Sequence, residues 1–129
     1  MKKYFLFSGL VVVLIACASW VLAGKSGNAP LPAAMPDDVQ AVVKNSCMAC
    51  HATGGKKMAM SIVNFSEWNN YSAEKQAKKA SAICNVITKG TMPPKGYLTS
   101  NPGAAVTAAQ KDIICNWSKS LQTQQGKKK

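Results

Sequence analysis

The chain has 129 residues and carries sixteen basic against five acidic side chains, a formal charge of +11, which is room for one small domain once an N-terminal segment is set aside. Every basic residue is lysine; the lack of the guanidinium fork that grips phosphates and base edges argues against a nucleic-acid partner. A lysine surface either steers weak encounters with acidic docking surfaces or simply keeps the protein soluble.

Met1-Lys2-Lys3 precedes twenty uncharged, mostly apolar positions from Tyr4 to Ala23, the pattern of an export signal. Three fates are open for residues 1–23. Val21-Leu22-Ala23 suits cleavage, Leu14-Ile15-Ala16-Cys17 resembles a lipobox that would lipidate Cys17, and the whole stretch is barely long enough to remain a membrane anchor. Each fate exports the domain, so the expected location is the periplasm, in solution or tethered to the membrane by the N-terminus. Residues 24–35, rich in Gly, Ser, Asn and Ala with Pro30 and Pro32, read as a flexible linker.

Pro36-Asp37-Asp38 opens a helix, since carboxylates suit the partial positive charge of a first turn. Val39, Val42, Val43 and Cys47 share one face at helical spacing and lead into Cys47-Met48-Ala49-Cys50-His51. Cys-x-x-Cys-His is the attachment pattern of a c-type haem. Two thiols one turn apart each form a thioether with a vinyl group, and the following histidine is held under the iron. A dithiol would call for a βαβ context. Zinc would need two further ligands, yet His51 is the only histidine and the remaining cysteines of the domain, Cys84 and Cys115, are far along the chain.

Ala52 to Lys57, with Gly54-Gly55, reads as a loop, and Met58 to Val63 is an apolar stretch without a clear assignment. Asn64-Phe65-Ser66-Glu67-Trp68 looks like a turn entering a short helix, with Ser66 as a candidate cap. Ser72 caps the longest predicted helix, Ala73 to Lys89, with Ala77, Ala80, Ile83, Cys84 and Ile87 on one face and Gly90 as its terminator. Thr91 to Val106, with Met92-Pro93-Pro94 and Asn101-Pro102-Gly103, holds too many breakers for regular structure. Thr107-Ala108-Ala109-Gln110 is a capping box opening a last helix with Ile113, Ile114, Trp117 and Leu121 as its stripe. Residues 123–129 read as a disordered basic tail. No alternating strand pattern is present, so the predicted fold is all-α, with residues 36–122 as the haem-binding domain.

One histidine leaves a sixth iron position. Met92 is the leading candidate, because Gly90 and the stiff Pro93-Pro94 pair fix a loop that can hold a weak thioether ligand. Met58, Met60 or an open site are the alternatives. Trp68 and Tyr71 are candidate donors to a haem propionate, each pairing an apolar body with a polar tip, or else ordinary core aromatics. Cys84 and Cys115 stand on the last two helices and are either a disulfide, as an oxidising compartment favours, or two buried thiols.

A helix entering Cys-x-x-Cys-His, the Gly90-Thr91-Met92-Pro93-Pro94 loop and a closing helix resemble the order of class I cytochromes c. More closely, that motif, Asn64-Phe65-Ser66-Glu67-Trp68, the Met92 loop with Tyr97, Asn101-Pro102 and Trp117 resemble the small bacterial family of exported haem-binding domains, over about Pro36 to Leu121. The resemblance implies a cytochrome c-like bundle of about four helices around one covalent haem c. The function expected is a monohaem carrier of single electrons between periplasmic or membrane redox proteins, with His51 and Met92 on the iron and no enzymatic step. The alternative is a haem-based sensing module with a labile sixth ligand.

Overall fold

A computed structural model describes residues 34–127; the export segment, nearly all of the linker and the last two lysines lie outside the described residues. Among those described there are helices and loops and no strand, so the chain is all-α. Helix α1 (Asp37–Ser46) carries Asp37 and Asp38 in its first turn and buries Val39, Val42 and Val43. It breaks at Cys47 and restarts as the single turn α2 (Met48–His51). Helix α3 (Lys57–Ile62) occupies the stretch without a clear sequence assignment. A 3-10 helix follows at Phe65–Asn70, then α4 (Ala73–Thr88), α5 (Lys95–Ser100), a 3-10 turn Pro102–Ala104 and α6 (Ala108–Gly126).

The core is the seam between α4 and α6, the most extensively packed pair. Ala77, Ala80, Ile83 and Ile87 meet Ile114, Trp117 and Leu121 there, and α1 closes the cluster with its valines. Alanines on α4 let the two long helices approach closely, and the large rings fill the adjoining space. Trp68 packs on Trp117 with centroids 5.1 Å apart. The fully buried Gln76 fits this apolar layer because its Nε2 donates to the Trp68 carbonyl at 3.0 Å, which satisfies a donor that would otherwise be costly to bury. Asn45 Nδ2 donates to the Gly103 carbonyl at 2.9 Å and ties α1 to the Pro102–Ala104 turn.

Local signals place most helix ends. Ser72 accepts from the Lys75 amide, Thr107 and Gln110 form the reciprocal capping box, and Gly90 ends α4 with φ +67°. Three expectations are corrected. Asn64, not Ser66, caps the Phe65–Asn70 helix; Ser66 Oγ accepts from the Thr53 amide instead, at 3.0 Å. Residues 91–106 are not all irregular: Pro94 stands at the N-cap of α5, a place where its missing N–H costs nothing. The last helix runs on through the tail to Gly126, because its polar Gln and Thr residues remain adequate helix formers without a buried stripe. Helix α3 also fills a stretch that carried no clear sequence assignment. No helix among the described residues is long and apolar enough to cross a membrane; the N-terminal candidate lies outside them. The Sγ atoms of Cys84 and Cys115 stand at disulfide distance, 1.94 Å, joining α4 to α6.

Candidate functional site

One cavity of about 370 Å³ opens between α2, α3, α4 and the Met92 loop. Cys47, Cys50, His51 and Met92 all line it. The remaining lining is mostly apolar: Val63 and Phe65 on one side, and Ala82, Ile83, Val86 and Ile87 of α4 on another. The large hydrophobic side chains exposed among the described residues are Met58 at 80%, Ile62 at 62% and Met92 at 37%, and every one of them lines this cavity. Exposed apolar groups that converge on one concavity mark a ligand site.

The Cys47–His51 segment is held from two directions. The Cys47 and His51 region folds as a turn, with the His51 amide donating to the Cys47 carbonyl at 3.0 Å. The loop that follows then returns onto it: the Lys56 amide donates to the Cys50 carbonyl at 3.0 Å and the Gly55 amide to Ala52 at 2.8 Å. Gly55 is required there, because a Cβ would lie 2.5 Å from the Cys50 carbonyl oxygen. Gly54 supplies the left-handed step, φ +89°, that turns the chain into α3.

Helix α3 explains the orientation of His51. Its Nδ1 is 3.0 Å from the Ala59 carbonyl and 3.2 Å from that of Val63. Carbonyls accept only, so Nδ1 carries the proton and Nε2 keeps its lone pair. A hydrogen bond of this kind fixes the tautomer and the orientation of the ring. Phe65 meets the imidazole edge-on, with centroids 6.2 Å apart. Burial pushes the Cys47 thiol up to about 11. That is opposite to the lowered value of a reactive dithiol. No group of three or more His, Cys, Asp or Glu that could hold a metal ion exists among the described residues.

Met92 is held by the end of α4. The Thr91 amide and hydroxyl donate to the Val86 carbonyl at 3.0 and 3.1 Å, and the Met92 amide lies 3.4 Å from the same oxygen. Of the competing methionines, Met58 also lines the cavity but stands on α3, the helix that holds His51. Met60 does not line it. Trp68 and Tyr71 are not brought to the cavity wall. Trp68 lies behind Phe65, at 6.1 Å between centroids, with its Nε1 buried and unpartnered. The Tyr71 hydroxyl accepts from the Asn64 amide at 2.9 Å. Sequence reasoning missed Lys79, Lys56 and Tyr97 as lining residues. Lys79 was accessible to it, since Lys79, Ala82, Ile83, Val86 and Ile87 form a second helical stripe on α4.

An apolar slot carrying two thiols, an imidazole with a free Nε2 and a thioether fits haem: the walls suit a porphyrin face and the donors suit its vinyl groups and iron. Fold and site define an all-helical haem-binding protein. The chain belongs to the haem-binding domain family, whose model matches residues 56–120. Comparison with curated proteins gives no match, and comparison with solved structures gives none.

Proposed function

We propose that this protein is an exported monohaem c-type cytochrome, a bundle around one covalent haem that carries single electrons between periplasmic or membrane redox partners and catalyses no reaction of its own. The supporting observation is the convergence of Cys47, Cys50, His51 and Met92 on one apolar cavity, with His51 Nδ1 already engaged by α3.

Haem supplies a one-electron ferric/ferrous couple when bound. The chain's part is to fix and insulate it. Cys47 and Cys50 would tether the porphyrin by thioethers, which would keep it on a small domain outside the cytoplasm. His51 presents Nε2 from a position set by the Ala59 and Val63 carbonyls. Met92 approaches from the loop pinned on Val86, on a different wall from α3, and a thioether there favours the ferrous state relative to a second nitrogen ligand. The apolar α4 stripe would cover a porphyrin face and keep water from it. Lysines around an acid-poor surface favour acidic docking partners.

The exposure of Met92, 37%, favours one competing role, a sensing module in which this ligand yields to a diatomic gas. An optical redox titration of the purified holoprotein separates the two. A low-spin spectrum with the weak far-red methionine–iron(III) charge-transfer band, and a single reversible one-electron step, is the expected result. A high-spin resting spectrum would displace electron transfer in favour of ligand binding.

A further inference from the structure

We propose that Lys79 is the cation that pairs with a haem propionate, which places the carboxylate edge of the porphyrin at the seam of α3 and α4; the proposal rests on the haem reading above. A haem is an apolar disc with two carboxylates on one edge, so its cavity needs apolar walls and a cation where that edge lies. Lys79 and Lys56 are the charged residues of the lining, and none of the five acids of the chain reaches it. Among the described residues the carboxylate nearest to Lys79 in sequence, Glu74, is taken by Lys78 at 2.7 Å.

Lys79 is positioned where Lys56 is not. Its Nζ donates to the Ile62 carbonyl at the end of α3, and it stands 5.0 Å from the centroid of the Tyr71 ring. The stem is thereby aligned along the cavity rim, and an ammonium has three donors, of which the Ile62 carbonyl takes one. Lys75 shares the same ring at 4.5 Å and does not line the cavity. Burial first, and then the charge of Lys75, lower the proton affinity of Lys79, a cost that an adjacent carboxylate offsets. Tyr71 therefore serves as the platform of the propionate partner, and Trp68 lies a layer further back.

A positive charge at the porphyrin edge favours the ferrous form, which carries one positive charge fewer than the ferric. Lys79→Gln keeps a donor for Ile62 and removes the charge. It is expected to shift the ferrous:ferric ratio at fixed solution potential three- to tenfold towards ferric, where tenfold corresponds to 59 mV for one electron. Lys79→Arg should restore the wild-type value, and Lys75→Gln should move it distinctly less. Haem content is measured separately by alkaline pyridine spectra. Normal haem with a Lys79→Gln potential no lower than that of Lys75→Gln overturns the pairing alone, whereas wild-type protein without haem overturns the haem reading itself. If Lys79→Gln yields no folded holoprotein, wild-type protein carrying ¹³C-methylated lysines is titrated by NMR. Lys79 should then titrate within or above the ordinary lysine range; titration below that range means that no carboxylate faces it, and the pairing is wrong.

Discussion

Replacing Gly55 by alanine should damage the Cys47–Ala52 segment more than replacing Gly54, although Gly54 has the more unusual backbone. A Cβ at Gly55 would stand 2.5 Å from the Cys50 carbonyl oxygen, 2.8 Å from its carbon and 2.9 Å from the Ala52 oxygen. All three are backbone atoms of the motif or its continuation, so no side chain can swing aside. Restoring ordinary contact takes about 1 Å of backbone displacement. That movement pulls on two hydrogen bonds, Lys56 to Cys50 at 3.0 Å and Gly55 to Ala52 at 2.8 Å. Overpacking costs about 1–3 kcal/mol and each weakened bond up to about 1 kcal/mol, giving up to about 5 kcal/mol for Gly55→Ala. At Gly54 a Cβ meets nothing within 4 Å; only the φ of +89° opposes it, at about 1–2 kcal/mol. Urea unfolding of the two holoproteins, followed at the haem absorbance, ranks them, and the resting spectrum reports whether His51 and Met92 have moved. Gly55→Ala should also lower the yield of haem-loaded protein, while Gly54→Ala leaves the spectrum unchanged. Equal stabilities, or a larger loss at Gly54, would refute the close approach of this loop to Cys50.

Covalent attachment is checked by acid–acetone extraction and intact mass: the haem should stay with the chain, and Cys47→Ala together with Cys50→Ala should release it. Met92→Ala should abolish the far-red charge-transfer band and open a site for carbon monoxide, whereas Met58→Ala, on the helix that holds His51, should keep the band; the reverse pattern would exchange the two assignments. For Cys84 and Cys115, separated by 31 residues, a disulfide constrains the unfolded chain by about 3–4 kcal/mol. Cys84→Ser with Cys115→Ser should lose about that much in denaturant unfolding, and alkylation of both thiols in the untreated folded protein would show that the bond is absent.

The parts of the fold that were legible in the sequence are those written in local chemistry. The Thr107–Gln110 capping box, the Ser72 cap and the glycine at position 90 each satisfy or release backbone groups within a few residues, and all three appear where expected. What was not legible depends on tertiary partners. Helix α3 is six residues long, too short to show a period, and its use is to aim carbonyls at His51. The α5 helix hides behind two prolines because a proline reads as a breaker, yet Pro94 precedes the helix rather than interrupting it. Ser66 looked like a cap, but its hydroxyl is claimed by Thr53 across the loop. Trp68 and Tyr71 carry the right polar tips for propionates, and only the three-dimensional layering shows Phe65 between Trp68 and His51.

The haem assignment stands on two signals that share no residue. The family match begins at residue 56, five positions after His51, so the Cys-x-x-Cys-His motif contributed nothing to it. The motif in turn says nothing about α4, the Met92 loop or α6, which make up most of the matched stretch. Either signal alone has ordinary failures: a short cysteine motif can arise without haem, and a domain match can preserve a fold whose cofactor has been lost. The fold joins them, because the cavity formed mainly by the matched residues has the unmatched motif as one of its walls. The join is also specific in chemistry. Carbonyls from α3, inside the matched region, accept the Nδ1 proton of the histidine outside it, and so leave Nε2 as the nitrogen with a free lone pair. That nitrogen is the one which the proposed ligation of haem iron by His51 would use.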